Sequence, residues 1–235
     1  MIKPTMLFST KIPDFVSENT LSMLRMAVSP GRRERSTKFK FQQDALRSLT
    51  GELLLRYGLI KYGFEKIDSI QFGVNEFGKP FLTDVSDFDI SISHSGKWVV
   101  AGFSSCAIGV DVEMIKKIDF AIAEQFFTAQ DCSLIKSTND KVSAREMFYR
   151  IWVLKESYVK AIGKGLSCPL NSFYVNKIDG DLVTFSYVDE NLQEMFAKEY
   201  YIGDEYKMAV SCQKKMFPSK LSFVEFEEVI DTVVK

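Results

Sequence analysis

The sequence has little histidine and little cysteine, and both shortages narrow the kinds of site that it can form. Among its 235 residues there are four cysteines and one histidine, His94. The cysteines are far apart in the sequence, which argues against a zinc knuckle and against a redox pair. A single histidine likewise disfavours zinc sites and triads that use several imidazoles. Any bound metal is therefore expected to have oxygen ligands, which favours a hard cation such as Mg²⁺.

The sequence also lacks a long apolar run and an excess of charge of either sign. No apolar run approaches the roughly 20 residues that a transmembrane helix needs, and the first 15 residues lack a signal-peptide pattern. The formal net charge is −1, so nothing indicates a surface built for nucleic acid. We therefore expect a cytoplasmic protein with reduced cysteines that binds neither membranes nor nucleic acid.

The composition that remains is typical of a globular protein with a sizeable core. Hydrophobic residues make up 46% and charged residues 26% of the chain, which is enough to fold without disulfides. Helix and strand signals are mixed along the chain, which indicates an α/β (α+β) fold. The pattern allows two similar halves, each a mainly antiparallel sheet against one long helix, although no sequence repeat proves it.

The strongest local signals are helical. Apolar residues recur with a helical period over 43–59 and most clearly over 141–162. Residues 119–137 also predict helix, with a break near Thr128. The chain after residue 170, including 221–230, reads mainly as antiparallel strands separated by polar turns.

The strand "AIGVDVEM" at 107–114 carries two acids. Residues two apart on a strand point to one face, so Asp111 and Glu113 project together. Two carboxylates on one face repel each other and need water, a basic side chain or a divalent cation nearby. An isolated pair of this kind is more often a solvated strand edge, and that alternative stays open here.

The helix over 141–162 carries an unusual set of charges beside Trp152. Glu156 and Lys160 are neighbours at the edge of its apolar stripe. Lys155 falls inside the apolar arc, where it must snorkel or find an anionic partner. A surface ion pair would contribute only about 0.3–0.5 kcal/mol. The functional interpretation is that Glu156 is a third metal-binding carboxylate and that the lysines are directed at phosphate. The helix alone does not decide between a surface ion pair and this functional site.

Polar stretches elsewhere suit the binding of an anion. The G-K-P turn at 78–80 presents a lysine between a flexible and a fixed backbone position. The sequence S-H-S-G at 93–96 reads as a small polar turn after an apolar strand. The basic run at 31–35 is either a solvated face or a grip on phosphate.

Together these stretches resemble the 4′-phosphopantetheinyl transferase superfamily, in particular its surfactin-type branch. That family combines a strand of the form (I/V)-G-(I/V)-D-(I/V)-E with a helix of the form W-x-x-K-E-(A/S)-x-x-K. Here they read IGVDVE at 108–113 and WVLKESYVK at 152–160, with G-K-P and S-H-S upstream and G-K-G-L at 163–166 downstream. The resemblance covers about residues 29–170. It implies two pseudo-symmetric halves, residues 1–105 and 106–235, with the active site in the cleft between them. One departure is Val153, where the family usually has a small polar residue; we expect an effect on packing only.

The resemblance implies an enzyme that moves the phosphopantetheine arm of coenzyme A onto a serine of an apo carrier protein and releases adenosine 3′,5′-bisphosphate. Mg²⁺, with Mn²⁺ as a substitute, would be the cofactor and coenzyme A the substrate. The partner would be a peptidyl, acyl or aryl carrier domain of peptide or polyketide biosynthesis, and the enzyme would be a monomer.

The resemblance also implies roles for individual residues. Asp111, Glu113 and Glu156 would hold the metal. Glu156 would take the serine proton, directly or through a water on the metal, and Lys160 would contact the phosphate and assist the departing oxygen. The implied contacts to coenzyme A are Arg32, Arg35, Arg47, Gly78, Lys79, Pro80, Ser93, His94, Lys155 and Lys160.

Three other interpretations remain open at this point. A metal-dependent phosphohydrolase or nucleotidyl transferase also needs carboxylates and cations, but it does not need the W-x-x-K-E-S-x-x-K spacing. A non-catalytic module that binds coenzyme A or a carrier protein would be expected to lose one of the acids. A purely structural role leaves the acids and polar turns as coincidence.

Overall fold

The computed structural model describes residues 4–64 and 70–234, and its first half is a four-stranded sheet covered by helices. The sheet has the strand order β11-β1-β5-β4, and β1 is antiparallel to β5 as β5 is to β4. Leucines on one long helix, α3, are buried against this sheet. The elements are β1 Met6–Lys11, α1 Glu18–Met26, α2 Pro30–Thr37, α3 Gln42–Tyr62, β2 Phe72–Val74, β3 Pro80–Leu82, β4 Asp89–Ser95 and β5 Trp98–Ser104.

The second half is a five-stranded antiparallel sheet against the other long helix, α6. Its strand order is β6-β10-β9-β8-β7. Together the two halves confirm the predicted fold class. The elements are β6 Ile108–Met114, α4 Ala121–Phe126, α5 Ala129–Lys136, α6 Lys141–Ile162, β7 Phe173–Asp179, β8 Leu182–Tyr187, β9 Phe196–Glu199, β10 Tyr206–Cys212, β11 Ser222–Phe223 and α7 Phe226–Val233.

Capping residues set the bounds of the helices in the second half. The Asp140 side chain accepts hydrogen bonds from the first free amides of α6, and Gly163 ends it in the left-handed conformation at φ 70°. Thr128 caps α5 in the same way, and the predicted break between α4 and α5 falls at this residue. These capping signals depend only on neighbouring residues, so the sequence alone can indicate where the helices begin and end.

The prediction of strands over 221–230 is wrong for most of that segment. Only Ser222–Phe223 form a strand, which pairs in parallel with β1. The chain then turns into α7, because Phe226 and Val229 have helical spacing and are buried in the first core. This segment therefore packs with the first half, whereas the predicted boundary groups it with the second.

A second correction concerns the polar stretch after residue 92. Ser93, His94 and Ser95 lie within β4 and do not form a turn; the turn to β5 is at Gly96–Lys97. The reason is that Ser91, Ser93 and Ser95 are buried at alternate positions and β4 stays paired with β5 as far as Trp98.

Candidate active site

The site begins where α6 crosses β6 at short range, and Gly109 permits that approach. A Cβ atom at Gly109 would lie 2.0 Å from the carbonyl oxygen of Ser157 and 2.3 Å from the amide nitrogen of Ala161. Backbone atoms of a helix cannot move away as a flexible side chain can. The glycine of the IGVDVE motif therefore brings the charged residues of α6 next to the acids of β6.

We predict that Gly109→Ala will destabilise the protein strongly. The added methyl group must push α6 away from β6, and overpacking of this kind costs about 1–3 kcal/mol or more. Chemical denaturation measures the change. Gly31→Ala is the control, because a Cβ there meets nothing within 4 Å and alanine favours the helix. Equal stability of the two variants would contradict the close approach.

Asp111 is the most deeply buried acid of the site, with 2% of its surface exposed. Its Oδ1 accepts hydrogen bonds from Ser93 Oγ at 2.8 Å and from Lys160 Nζ at 2.6 Å. Its Oδ2 is buried and has no hydrogen-bond partner. A buried carboxylate oxygen without a partner is costly, so this atom is where a cation would be most stabilising.

Glu113 and Glu156 are half-buried, and the charge of Asp111 affects the pKa of each. Burial raises the pKa of Glu113, and Asp111 raises it further, although a hydrogen bond from Ser95 Oγ at 2.7 Å opposes the shift. Burial, then Asp111, also raise the pKa of Glu156, against the effect of Lys160. The three acids thus share one neighbourhood with more negative charge than Lys160 neutralises.

The donor set fits a hard divalent cation. All three candidate ligands are carboxylates, and Asp111 Oδ2 has an unused lone pair in a buried position. Within residues 4–64 and 70–234, no three His, Cys, Asp or Glu side chains stand in a ready metal-binding arrangement. Glu113 and Glu156 would therefore have to turn toward Asp111 to complete a coordination shell.

Lys155 does not reach this site, and this corrects the prediction that it contacts coenzyme A. Its side chain is 0% exposed and its ammonium lies 2.8 Å from Asp131, which is equally buried. The same ammonium donates to the carbonyl oxygens of Leu170 and Phe173. Of the two alternatives for this lysine, snorkelling or an anionic partner, the structure shows the second, and Asp131 on α5 is the partner.

The ammonium of Lys79 is also turned into the protein. It donates to Asp89, to the carbonyl of Ile108 at 3.1 Å and to the carbonyl of Ala161 at 3.0 Å. The turn that carries it is fixed by Asn75, whose side chain accepts from the amide of Lys79. Lys79 thereby ties the G-K-P turn to β6 and to the end of α6, and its three hydrogens are used there rather than on a phosphate.

Three of the predicted coenzyme-binding residues, Arg32, Arg47 and Lys160, form a cluster of cations around His94. His94 keeps an exposed edge, but neighbouring protein atoms remove much of its hydration. This desolvation, then the charges of Lys160, Arg47 and Arg32, lower the pKa of His94 to about 4. Arg47 donates to the carbonyl of Gly96 at 2.8 Å. The imidazole is therefore neutral at pH 7 and surrounded by cations, which suits an anionic ligand.

Two cavities that share Pro80 in their walls lie beside Glu156 and the arginines, and we call them together the groove. One part, of about 280 Å³, is lined by the 77–80 turn together with Glu156 and Lys160. A second part, of about 650 Å³, is lined by Arg32 and Arg35. Pro80 lies in the wall of both parts, so they adjoin.

Several structural partners were not identified from the sequence. Asp131 pairs with Lys155, Asp89 pairs with Lys79, and Ser95 holds Glu113. An anionic partner for Lys155 was one of two expected solutions, but which acid supplies it depends on how α5 packs. The polar alternation of β4 was also visible, although it reads equally well as a turn.

Two family models match consecutive parts of the chain. The 4′-phosphopantetheinyl transferase superfamily matches residues 107–211, and the N-terminal region of 4′-phosphopantetheinyl transferases matches residues 16–105. The 4′-phosphopantetheinyl transferase Sfp of Bacillus subtilis (strain 168) is 37% identical over 204 residues, which is 86% of this chain and 90% of that protein. The chain belongs to the 4′-phosphopantetheinyl transferase superfamily. The predicted family is thus confirmed.

Other relatives of this phosphopantetheinyl transferase family member come from a second bacterium and from mouse. The 4′-phosphopantetheinyl transferase gsp of Aneurinibacillus migulanus is 38% identical over 202 residues, 84% of this chain and 82% of that protein. The mouse L-aminoadipate-semialdehyde dehydrogenase-phosphopantetheinyl transferase is 33% identical over 66% of this chain and 55% of its own. Across the described residues, no helix has the length and apolarity to span a bilayer.

Proposed function

We propose that this protein transfers the 4′-phosphopantetheine arm of coenzyme A to a serine hydroxyl of an apo carrier protein and releases adenosine 3′,5′-bisphosphate. The observation that carries the proposal is the groove with Glu156 and Lys160 at one end and Arg32 and Arg35 at the other. Coenzyme A has phosphates at separate positions, so a groove with cations at two places suits it. Membership of the family supports the same reaction.

Asp111, Glu113 and Glu156 are the proposed metal ligands. Mg²⁺, for which Mn²⁺ can substitute, would neutralise charge on the pyrophosphate when bound. The partnerless oxygen of Asp111 and the raised pKa values of the other two acids support this assignment.

Glu156 and Lys160 are the proposed catalytic residues. The serine oxygen forms a bond to the phosphorus that carries the pantetheine arm, and the bond from that phosphorus to the departing bisphosphate breaks. Glu156 accepts the serine proton, and its raised pKa brings it closer to the neutral range where a base is most effective. Lys160 is held by Asp111 and Ser93, from where its charge stabilises the departing phosphate.

Residues of the groove, together with His94 and Arg47 beside it, are proposed to bind coenzyme A. Neutral His94 donates one hydrogen bond, and Arg32, Arg35 and Arg47 supply charge for the phosphates. Gly78 and Pro80 form a wall for the pantetheine arm. Ser93 acts within the site by holding Lys160 and Asp111.

The proposed partner is a peptidyl, acyl or aryl carrier domain, and the enzyme is proposed to act as a cytoplasmic monomer. Phe77 lines the groove with 42% of its surface exposed, Phe81 follows Pro80 with 41% exposed, and Lys164 is exposed as well. Exposed apolar groups and a lysine suit an acidic carrier with a serine at the start of a helix.

We propose two structural units, divided near residue 105, with the C-terminal strand and helix joined to the first unit.

Intact mass spectrometry tests the proposal. Apo peptidyl and acyl carrier proteins are incubated with this protein, coenzyme A and Mg²⁺, beside a chelator control. A gain of one phosphopantetheine arm that disappears with chelator is the expected result. Release of free phosphopantetheine without a change in carrier mass would indicate a hydrolase, and coenzyme A binding without either product would indicate a binding module.

His94 provides a prediction that needs no activity measurement. Because the chain has one histidine, the imidazole gives a single NMR signal that can be followed with pH. We expect a midpoint near 4 in the free protein, since desolvation and neighbouring cations disfavour the charged ring. Saturating coenzyme A should move the midpoint upward, because phosphate favours the charged form. A midpoint near 6.5 that coenzyme A leaves unchanged would contradict the cluster.

A further inference from the structure

A row of polar side chains on β4 takes the place of a missing strand beside β6. Strand β6 lies at the edge of its sheet, so alternate amides along it have no strand partner. Each of these amides donates to a side chain of β4, at distances of 2.8–3.4 Å. We call this row the polar seam; its pairs, β6 amide first, are Ile108 with Asp89, Val110 with Ser91, Val112 with Ser93 and Met114 with Ser95.

The polar seam joins the two halves of the molecule, and each step of two residues along β6 is matched by a step of two residues along β4. Strands β4 and β6 belong to different sheets, and backbone pairing between them is replaced by side-chain oxygens. The four seam side chains occupy alternate positions of β4, so one face of that strand is used for the purpose. The direction of β6 is thereby fixed by the other half of the protein.

At Ser95 the seam reaches a carboxylate of the site. A hydroxyl has one hydrogen to donate and two lone pairs to accept with. Ser95 accepts from the Met114 amide at 3.1 Å, which leaves its hydrogen for Glu113 Oε2 at 2.7 Å. Its residue surface is 9% exposed, so solvent competes little for this bond. Ser91 accepts from the Val110 amide in the same way, but its hydroxyl touches no carboxylate.

We propose that Ser95 is a positioning residue that holds one oxygen of Glu113 and leaves the other for the metal. The proposal rests on the proposed role of the three acids as metal ligands. Asp111 repels Glu113, so without the bond from Ser95 the Glu113 side chain turns toward solvent. Hydrogen bonds to metal ligands of this kind contribute about 10–100-fold to metal affinity or activity.

The test compares Ser95→Ala with Ser95→Thr and Ser91→Ala. The first readout is Mn²⁺ affinity in the presence of coenzyme A, measured from the EPR signal of free Mn²⁺. The second is thermal unfolding without metal, and the third is the Mg²⁺ concentration for half-maximal carrier modification. Both alanine variants lose one seam bond, so their unfolding temperatures should fall by similar amounts.

Only Ser95→Ala is expected to lose metal affinity, by about tenfold, and Ser95→Thr should restore it because the hydroxyl is kept. If Ser95→Ala fails to fold, Ser95→Cys replaces it, since a thiol is a weak donor of nearly the same size. Equal Mn²⁺ affinity in Ser95→Ala and wild type, or equal losses in Ser95→Ala and Ser91→Ala, would overturn the role of Ser95. Wild-type protein that neither binds Mn²⁺ nor modifies a carrier would overturn the proposed function itself.

Discussion

Glu156→Gln is expected to abolish metal-dependent transfer of phosphopantetheine and to leave the fold intact. Glutamine keeps the shape of the side chain but removes the charge that the cation needs and the oxygen that accepts the serine proton. Loss of general base catalysis alone accounts for about 10²–10⁴-fold in rate, and loss of a metal ligand adds to it. Single-turnover modification of a carrier protein, followed by intact mass spectrometry, measures the change.

The fold should survive because Glu156 contributes no stabilising contact. In the part of the chain that the structure describes, its carboxylate accepts no hydrogen bond, and burial and Asp111 raise its pKa. A raised pKa means that the ionised form is less favourable in the folded than in the unfolded chain, so removing the charge should not lower the unfolding temperature.

The control is Glu146→Gln, which removes a carboxylate from the same helix. Glu146 forms an exposed ion pair with Lys207 at 3.2 Å and lies almost three turns before Glu156 on α6. A pair of this kind contributes little, so both stability and transfer should be retained. An active Glu156→Gln enzyme with an unchanged Mg²⁺ requirement would remove Glu156 from both proposed roles.

Local signals explain why much of the fold was predictable. The helix over 141–162 was predicted with the bounds that the structure has, because the segment carries an apolar period and is flanked by an N-cap aspartate and a glycine. The segment after residue 221 carries weaker signals. Its apolar residues fit a strand as well as a helix, and the choice is made by distant contacts such as the hydrogen bond from Tyr57 to Glu228.

The same distinction applies to the site. The period of a strand placed Asp111 with Glu113, and the period of a helix placed Glu156 with Lys160. That Lys160 meets Asp111 is a tertiary fact, and neither period nor the resemblance predicted it. Lys79 and Lys155 show the limit of such reasoning, because motif positions say nothing about which way a side chain turns.

Lys155→Met is expected to be among the most destabilising single substitutions in the chain. The ammonium uses all three of its hydrogens, on Asp131 and on the carbonyls of Leu170 and Phe173, and lies 4.4 Å from the centre of the Phe173 ring. Methionine fills the space but leaves Asp131 as an unpaired charge that is 0% exposed. Breaking a buried pair in this way costs about 3–5 kcal/mol.

A double-mutant cycle separates the ion pair from the packing. Asp131→Asn retains an oxygen for the amide of Val175, which Asp131 now satisfies at 3.0 Å, and removes the charge. The double variant Lys155→Met/Asp131→Asn should therefore be more stable than Lys155→Met alone. Lys136→Met is the matched control, because its pair with Glu124 is exposed at both ends and contributes less than about 1 kcal/mol. Urea unfolding monitored by circular dichroism gives the free energies.

The same variants decide between two roles for the lysine of the W-x-x-K-E motif. A lysine that binds phosphate would, when replaced, raise the KM for coenzyme A and leave stability unchanged. A lysine that fixes the chain after α6 would lower stability, and at a temperature where the variant stays folded its KM for coenzyme A would change little. We expect the second result. Leu170 lines the groove beside Glu156, so Lys155 serves the site by holding its wall and not by touching the substrate.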